Sequence, residues 1–205
     1  IGLFIISHGL LAERRWTEPL PYGDMDEWQV RYIKESKLLG GKTKTLYAIA
    51  PTDTVRENKA YVSEKGNPWG CSATYAKFMG IETAMEGSVV PEARGYGYCC
   101  RMRNILEHIN LCDIYAMVSG TIYMGTALEP LSIQAKSKPF TAIDFGVPFT
   151  KHPVALMLDY KATISEADSL ITTERNKPEW IDGHDCAVVF VYLQYRWEDK
   201  ETGKI

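Results

Sequence analysis

A chain of 205 residues holds one domain, or one domain with extensions, and 45% hydrophobic with 24% charged residues suits a globular protein with a packed core. A net charge of −3 and a pI near 5.9, with Lys and Arg scattered rather than blocked, argue against nucleic acid as a partner. The five cysteines, Cys71, Cys99, Cys100, Cys112 and Cys186, form no CxxC pair and no zinc spacing. No metal or other cofactor is expected, most of these thiols read as small buried apolar groups, and the sequence does not choose a disulfide.

In chain order, residues 1–12 (IGLFIISHGLLA) come first. They resemble the apolar part of a secretory signal peptide without its basic start, which predicts a signal-peptide remnant and an exported protein, in the periplasm, on the outer membrane surface or secreted. The other reading is a buried strand or helix. The run is too short to span a bilayer and no other segment is long and apolar enough, so no transmembrane span is expected. Residues 13–205 are expected to form a single β-sandwich domain. WQVRY alternates with period two, placing Trp28, Val30 and Tyr32 on one face of a strand. TLYAIA, SATYAKFMGI and VSGTIYMG read as further strands, whereas the run YCCRMRNILEHI fits a helix face and a strand equally well.

VALMLDYKATI (154–164) predicts a half-buried strand, with Tyr160 inward and Asp159 and Lys161 sharing the outward face. Residues 165–179 are polar and charged, which predicts a surface loop or a short helix. CAVVFVYLQYRW (186–197), apolar on both faces at its start, predicts a central strand. Gly40-Gly41, Gly66-Asn67-Pro68, residues 95–97 and Asn176-Lys177-Pro178 separate the runs as turns. Many short strands with Gly and Pro punctuation predict an all-β sandwich or barrel. The chain ends after a strand and the tip of a hairpin with no return strand, which predicts incompleteness at the C-terminus.

Familiar catalytic motifs are missing. Asp144-Phe145-Gly146 sounds like a kinase element, but no Gly-rich loop, strand lysine or His-Arg-Asp loop accompanies it. No GxSxG elbow, P-loop, HExxH or calcium loop occurs. His184 beside Asp182, Asp185 and Cys186 is read as a turn entering a strand rather than a metal or Cys-His cluster. A glycoside hydrolase needs two carboxylates across a sugar bond. Glu129 and Asp144 are the pair for that alternative, although spacing alone does not select them. Trp28 follows an acidic turn and Trp69 follows Pro68; each either offers a flat face to a sugar ring or plugs the end of a core. Asp159 and Lys161 either bind sugar hydroxyls or form a cross-strand charge pair.

WQVRYIKESKLLGGKTKTLYAIAP, NPWGCSATYAKFMGIE, GYGYCCRM, VSGTIYMG and DFGVPFTKHPVALMLDYK occur in this order between Asp24 and Trp197. Together they resemble the PCMD family of carbohydrate-metabolism domains of gut anaerobic bacteria. The resemblance implies a jelly-roll-like β-sandwich similar to carbohydrate-binding modules, and a strand at least for residues 98–103. It also implies a role in glycan acquisition or processing at the cell envelope. The expectation is a carbohydrate-binding or accessory protein of an envelope glycan-utilisation system, without assigned catalytic residues, meeting carbohydrate through Trp28, Trp69, Tyr123, Asp159 and Lys161. Other envelope glycan-utilisation proteins are further candidate partners. A structural or assembly protein of the cell surface is a third reading, favoured by an edge strand that pairs with another chain.

Overall fold

A computed structural model describes residues 17–202 apart from Cys112, Ser137, Arg196, Glu198 and Asp199. The signal-like run 1–12 lies outside the described residues. The described chain is nearly all β, with fourteen short strands and three single-turn 3-10 helices.

The first sheet carries the centre of the structure. β1 (Trp28–Lys34) pairs antiparallel with β2 (Thr43–Ile49), Trp28 opposite Ile49 and Lys34 opposite Thr43. β3 (Asp53–Val55) adds parallel to the other edge of β1. A second sheet has β11 (Ile122–Ala127) between β4 (Trp69–Cys71) and β12 (Ile143–Phe145). The remaining strands form antiparallel two-stranded ribbons. These are β5 (Tyr75–Phe78) with β6 (Ile81–Ala84), β7 (Val89–Ala93) with β8 (Tyr98–Met102), β9 (Ile105–Ile109) with β10 (Ile114–Val118), and β13 (Ser169–Thr172) with β14 (Glu179–Asp182).

Local chemistry explains several differences from the predicted strands. SATYAKFMGI is a hairpin rather than one strand, because Met79 and Gly80 both take positive φ, 48° and 81°. Two consecutive left-handed residues reverse the chain with the twist that antiparallel strands need. VSGTIYMG is likewise split: β10 ends at Val118 and β11 starts at Ile122. The run that fitted helix or strand is two strands, β8 and β9. The predicted loop or helix at 165–179 contains β13.

The core gathers Trp28, Ile33, Leu46, Ile49, Cys71, Ala73, Tyr75, Ala84 and Val89, with Tyr22, Met25, Tyr47, Trp69, Cys100 and Ile122 packed against it. Every member of the buried cluster falls between residues 28 and 89. On β1 the buried side chains beyond Trp28 are Arg31 and Ile33, while Val30 and Tyr32 are half-buried. Tyr32 instead lies under the Arg56 guanidinium, 4.7 Å from the ring centroid.

Two predicted strands are not strands. Residues 155–167 and 184–195 have no regular structure, and their side chains are exposed. Tyr160, expected inward, is exposed as well. A strand exists only through a neighbour that completes its ladder and a layer that covers its apolar face. Among the described residues neither run forms a ladder with a named strand.

Candidate functional site

Three polar or aromatic arrangements emerge from the fold. The most completely bonded is buried. Arg31, midway along β1, reaches Glu129 just beyond β11: Nη2 donates to Oε2 at 2.6 Å and Nη1 to Oε1 at 3.2 Å. The backbone N–H of Tyr61 donates to Oε2 at 2.7 Å and that of Tyr75 to Oε1 at 2.9 Å. Arg31 Nη2 also donates to the Lys59 carbonyl at 2.8 Å, and the guanidinium lies 5.4 Å from the Tyr61 ring centroid. The two side chains are 3% and 1% exposed. Three other segments, around Arg31, Tyr61 and Tyr75, are thus tied to one carboxylate.

Beside this pair is a cavity of about 10 Å³ lined by Arg31, Tyr61, Trp69, Cys71, Thr74 and Glu129 among others. That is room for about one water. Burial pushes the Cys71 thiol up to about 11 and also raises the Tyr61 phenol. A thiol held protonated is a packing group and not a nucleophile. Glu129 therefore acts as a strut. Asp144, its proposed hydrolytic partner, is exposed on β12; Glu129 itself has no free edge to offer a sugar bond.

A second polar cleft, about 30 Å³, is lined by Glu35, Lys44, Thr83, Glu107 and Asn110 among others. Lys44 Nζ lies 3.4 Å from both Glu35 Oε1 and Glu107 Oε2 and donates to the Ala84 carbonyl at 3.0 Å. Thr83 donates to Glu35 at 2.7 Å. The ammonium fills the gap between the carboxylates, where a hydrolase would need a sugar bond and a water. This cleft is an ion-pair network. Among the described residues, no group of three or more His, Cys, Asp and Glu is placed to hold a metal.

The predicted sugar-contact residues fall into separate environments. Trp28 is a core residue, 5% exposed, whose indole donates to the Met25 carbonyl at 2.7 Å; it has no face left for a ligand. Trp69 packs partly against the core, and its indole donates to the Pro21 carbonyl at 2.7 Å. Tyr123 stands over Gly70, where a Cβ would come within 2.5 Å of the ring. Its hydroxyl contacts the Cys71 carbonyl at 3.4 Å and its ring meets Phe145 edge-on. Asp159 and Lys161 are exposed in the irregular 155–167 segment, so the shared strand face that would have joined them does not form.

The third arrangement begins in the 165–179 stretch, expected to be a surface loop or a short helix, and runs just beyond it. In the β13–β14 hairpin Ile171 faces Trp180 and Ser169 faces Asp182. Alternation puts these four on one face. The Trp180 indole is 71% exposed. Its hairpin is anchored: Tyr115 N–H donates to the Asn176 carbonyl at 2.9 Å, and Met117 N–H donates to Thr173 Oγ1 at 3.0 Å. Tyr115 in turn stacks on His108, with centroids 3.9 Å apart and planes 8° from parallel. The result is an exposed indole on an anchored hairpin, with a carboxylate and a hydroxyl on the same face. The only sequence signal was the aromatic itself, set in EWID with alternating character too short to register as a strand.

No protein-family model, no curated protein and no solved structure matches this chain. No helix among the described residues is long and apolar enough to cross a membrane.

Proposed function

We propose that the protein is a carbohydrate-binding accessory protein of an envelope glycan-utilisation system, exported, and related to the PCMD family with its jelly-roll-like sandwich. The observation that carries the binding reading is the exposed Trp180 indole on an anchored hairpin, with Asp182 and Ser169 on the same face. A pyranose ring has one flat, largely C–H face and a rim of hydroxyls. An indole plane takes the first, and a carboxylate and a hydroxyl take the second. A shallow surface of this kind favours binding over turnover. Both well-formed carboxylate groupings, at Glu129 and at Glu35 with Glu107, are instead engaged by Arg31 and Lys44.

The test is a glycan array probed with the wild-type protein and with Trp180→Ala. Selective binding by the first that falls at least tenfold in the second supports the proposal. Binding that survives Trp180→Ala moves the site elsewhere, and no binding to any glycan by folded protein removes the proposal.

A further inference from the structure

Two turns at one end of the fold carry apolar side chains where turns in water ordinarily carry polar ones. The β5–β6 hairpin reverses at Met79-Gly80, and Met79 holds φ 48°. Glycine and asparagine take that conformation readily, and methionine does not. Yet the Met79 side chain is 85% exposed, beside Phe78 at 44%, so packing within the chain does not account for it. Between β1 and β2 a single-turn 3-10 helix (Lys37–Leu39) holds Leu38, 68% exposed. The two turns are joined. Ser36 N–H donates to the Glu82 carbonyl at 3.0 Å, and Glu82 N–H donates to Ser36 Oγ at 2.9 Å. Asn58 braces both, donating to the Lys34 carbonyl and to the Glu82 carboxylate at 2.8 Å each. The charge at this end is one-sided. Lys34, Lys37 and Lys42 are exposed and have no carboxylate partner among the described residues. The neighbouring acids are engaged: Glu35 is buried beside Lys44, Glu82 lies 3.2 Å from Lys77, and Glu57 pairs with Lys59.

We propose that this end of the fold docks on an anionic lipid bilayer. Leu38, Phe78 and Met79 enter the boundary between headgroups and acyl chains, and Lys34, Lys37 and Lys42 lie on the phosphates above it. Charge complementarity selects this occupant: apolar tips with unpaired lysines beside them match acyl chains overlaid by negative headgroups. Geometry favours it too. The apolar side chains stand on separate turns rather than along a groove or strand, so they offer a folded partner little continuous area, whereas a fluid bilayer closes around each tip. The hydrogen bonds through Ser36, Asn58 and Glu82 hold the turns in place beforehand, which keeps the ordering cost of docking small. No helix among the described residues is long and apolar enough to cross a membrane, and the proposed contact is peripheral. Each lysine at an anionic surface strengthens partitioning about fivefold, so the three together give on the order of a hundredfold. None of these residues belongs to the Trp180 hairpin, so lipid docking and glycan binding are tested separately.

The test is co-sedimentation with vesicles of phosphatidylcholine alone and of phosphatidylcholine mixed with phosphatidylglycerol. It compares wild type, the tip variant Leu38→Ser with Met79→Asn, and the charge variant Lys34→Gln, Lys37→Gln and Lys42→Gln. Asparagine suits the left-handed position of Met79, so the hairpin should keep its turn. Wild type should bind the anionic vesicles and bind phosphatidylcholine weakly. Each variant should lose about tenfold or more of the anionic binding, with circular dichroism and melting unchanged. A second measurement needs no variant: peroxide oxidation of the wild type, read by mass spectrometry. Met79 should react readily in buffer and lose that reactivity on anionic vesicles, while Met157, 75% exposed and outside these turns, stays reactive. If a variant unfolds, this protection decides. No binding of folded wild type to anionic vesicles overturns the proposal and leaves the surface to an acidic protein. Binding that the tip variant retains overturns it as well, since attraction of charge alone would then suffice. Met79 that stays reactive in vesicle-bound protein also overturns it.

Discussion

Glu129→Ala is the sharpest perturbation of the fold. It removes the acceptor of two Arg31 bonds and of the Tyr61 and Tyr75 backbone donors, in a site where Arg31 is only 3% exposed. Breaking a buried ion pair by deleting one partner costs about 3–5 kcal/mol, because the remaining charge stays buried without compensation. Each orphaned backbone N–H adds about 1–3 kcal/mol if no water reaches it. The adjacent cavity of about 10 Å³, enlarged by the lost side chain, can admit water, so the additions fall at the low end. A loss of roughly 5–7 kcal/mol follows, a large share of a total stability of roughly 5–15 kcal/mol. Arg31→Met should cost about 3–5 kcal/mol for the converse reason. The double variant should cost clearly less than the two singles together, since neither charge is left alone. Denaturant unfolding followed by far-UV circular dichroism measures all three. A loss under about 1 kcal/mol for Glu129→Ala, or strict additivity of the two singles, would refute the strut.

Acid sensitivity should depend on Glu82. The Tyr75 hydroxyl, then Asn58, hold its carboxyl below the usual carboxylate range, against the opposing effect of burial. A depressed folded-state pKa adds stability that is fully present above the unfolded value near 4.5 and is lost as pH falls through the folded value. Glu82→Gln should therefore flatten the decline of melting temperature below pH 5, and an unchanged acid limb would contradict this. Thiol labelling at pH 8 should modify Cys186 quickly and leave Cys71 and Cys100 untouched until unfolding, since burial pushes these two up to about 11 and about 12. Rapid native-state labelling of Cys71 by mass spectrometry would mean its site is open. Gly70→Ala places a Cβ 2.7 Å from the Gly125 carbonyl oxygen as well as against the Tyr123 ring, and should cost about 1–3 kcal/mol in the same unfolding assay. A neutral effect would show that β4 and β11 can part freely.

Legibility in the sequence followed burial contrast. β1 and β2 were readable because alternating runs there sit on a true core, with Ile33, Leu46 and Ile49 fully inside. Even so, the period-two pattern of WQVRY drew attention to Trp28, Val30 and Tyr32, whereas beyond Trp28 the buried residue of that run is the neighbouring arginine. A charge inside a core becomes predictable only with its partner, and Glu129 is 98 residues away. The run 154–164 and the described run 186–195 carry strand composition without strand structure, because alternation specifies which face a strand would bury and not what covers it. Hairpins were the other blind spot. Met79-Gly80 is not a typical primed-turn pair, so a two-strand unit read as one strand. β13 and β14 were concealed by the charged turn between them, and Trp180 with them. Sequence reading favoured tryptophans next to prolines and acidic turns, and those indoles proved to be hydrogen-bonded to backbone carbonyls of their own chain, at Met25 and Pro21.

Calorimetric titration of the best array ligand into wild-type protein, Trp180→Ala and Trp69→Ala tests the central claim most directly. Loss of the exposed indole should weaken binding about tenfold or more in Trp180→Ala, which corresponds to about 1.4 kcal/mol or more. Trp69→Ala, whose indole is turned toward Pro21, should bind like wild type provided it folds. Equal affinity of wild type and Trp180→Ala would contradict the account and place glycan recognition, if any, off the β13–β14 hairpin.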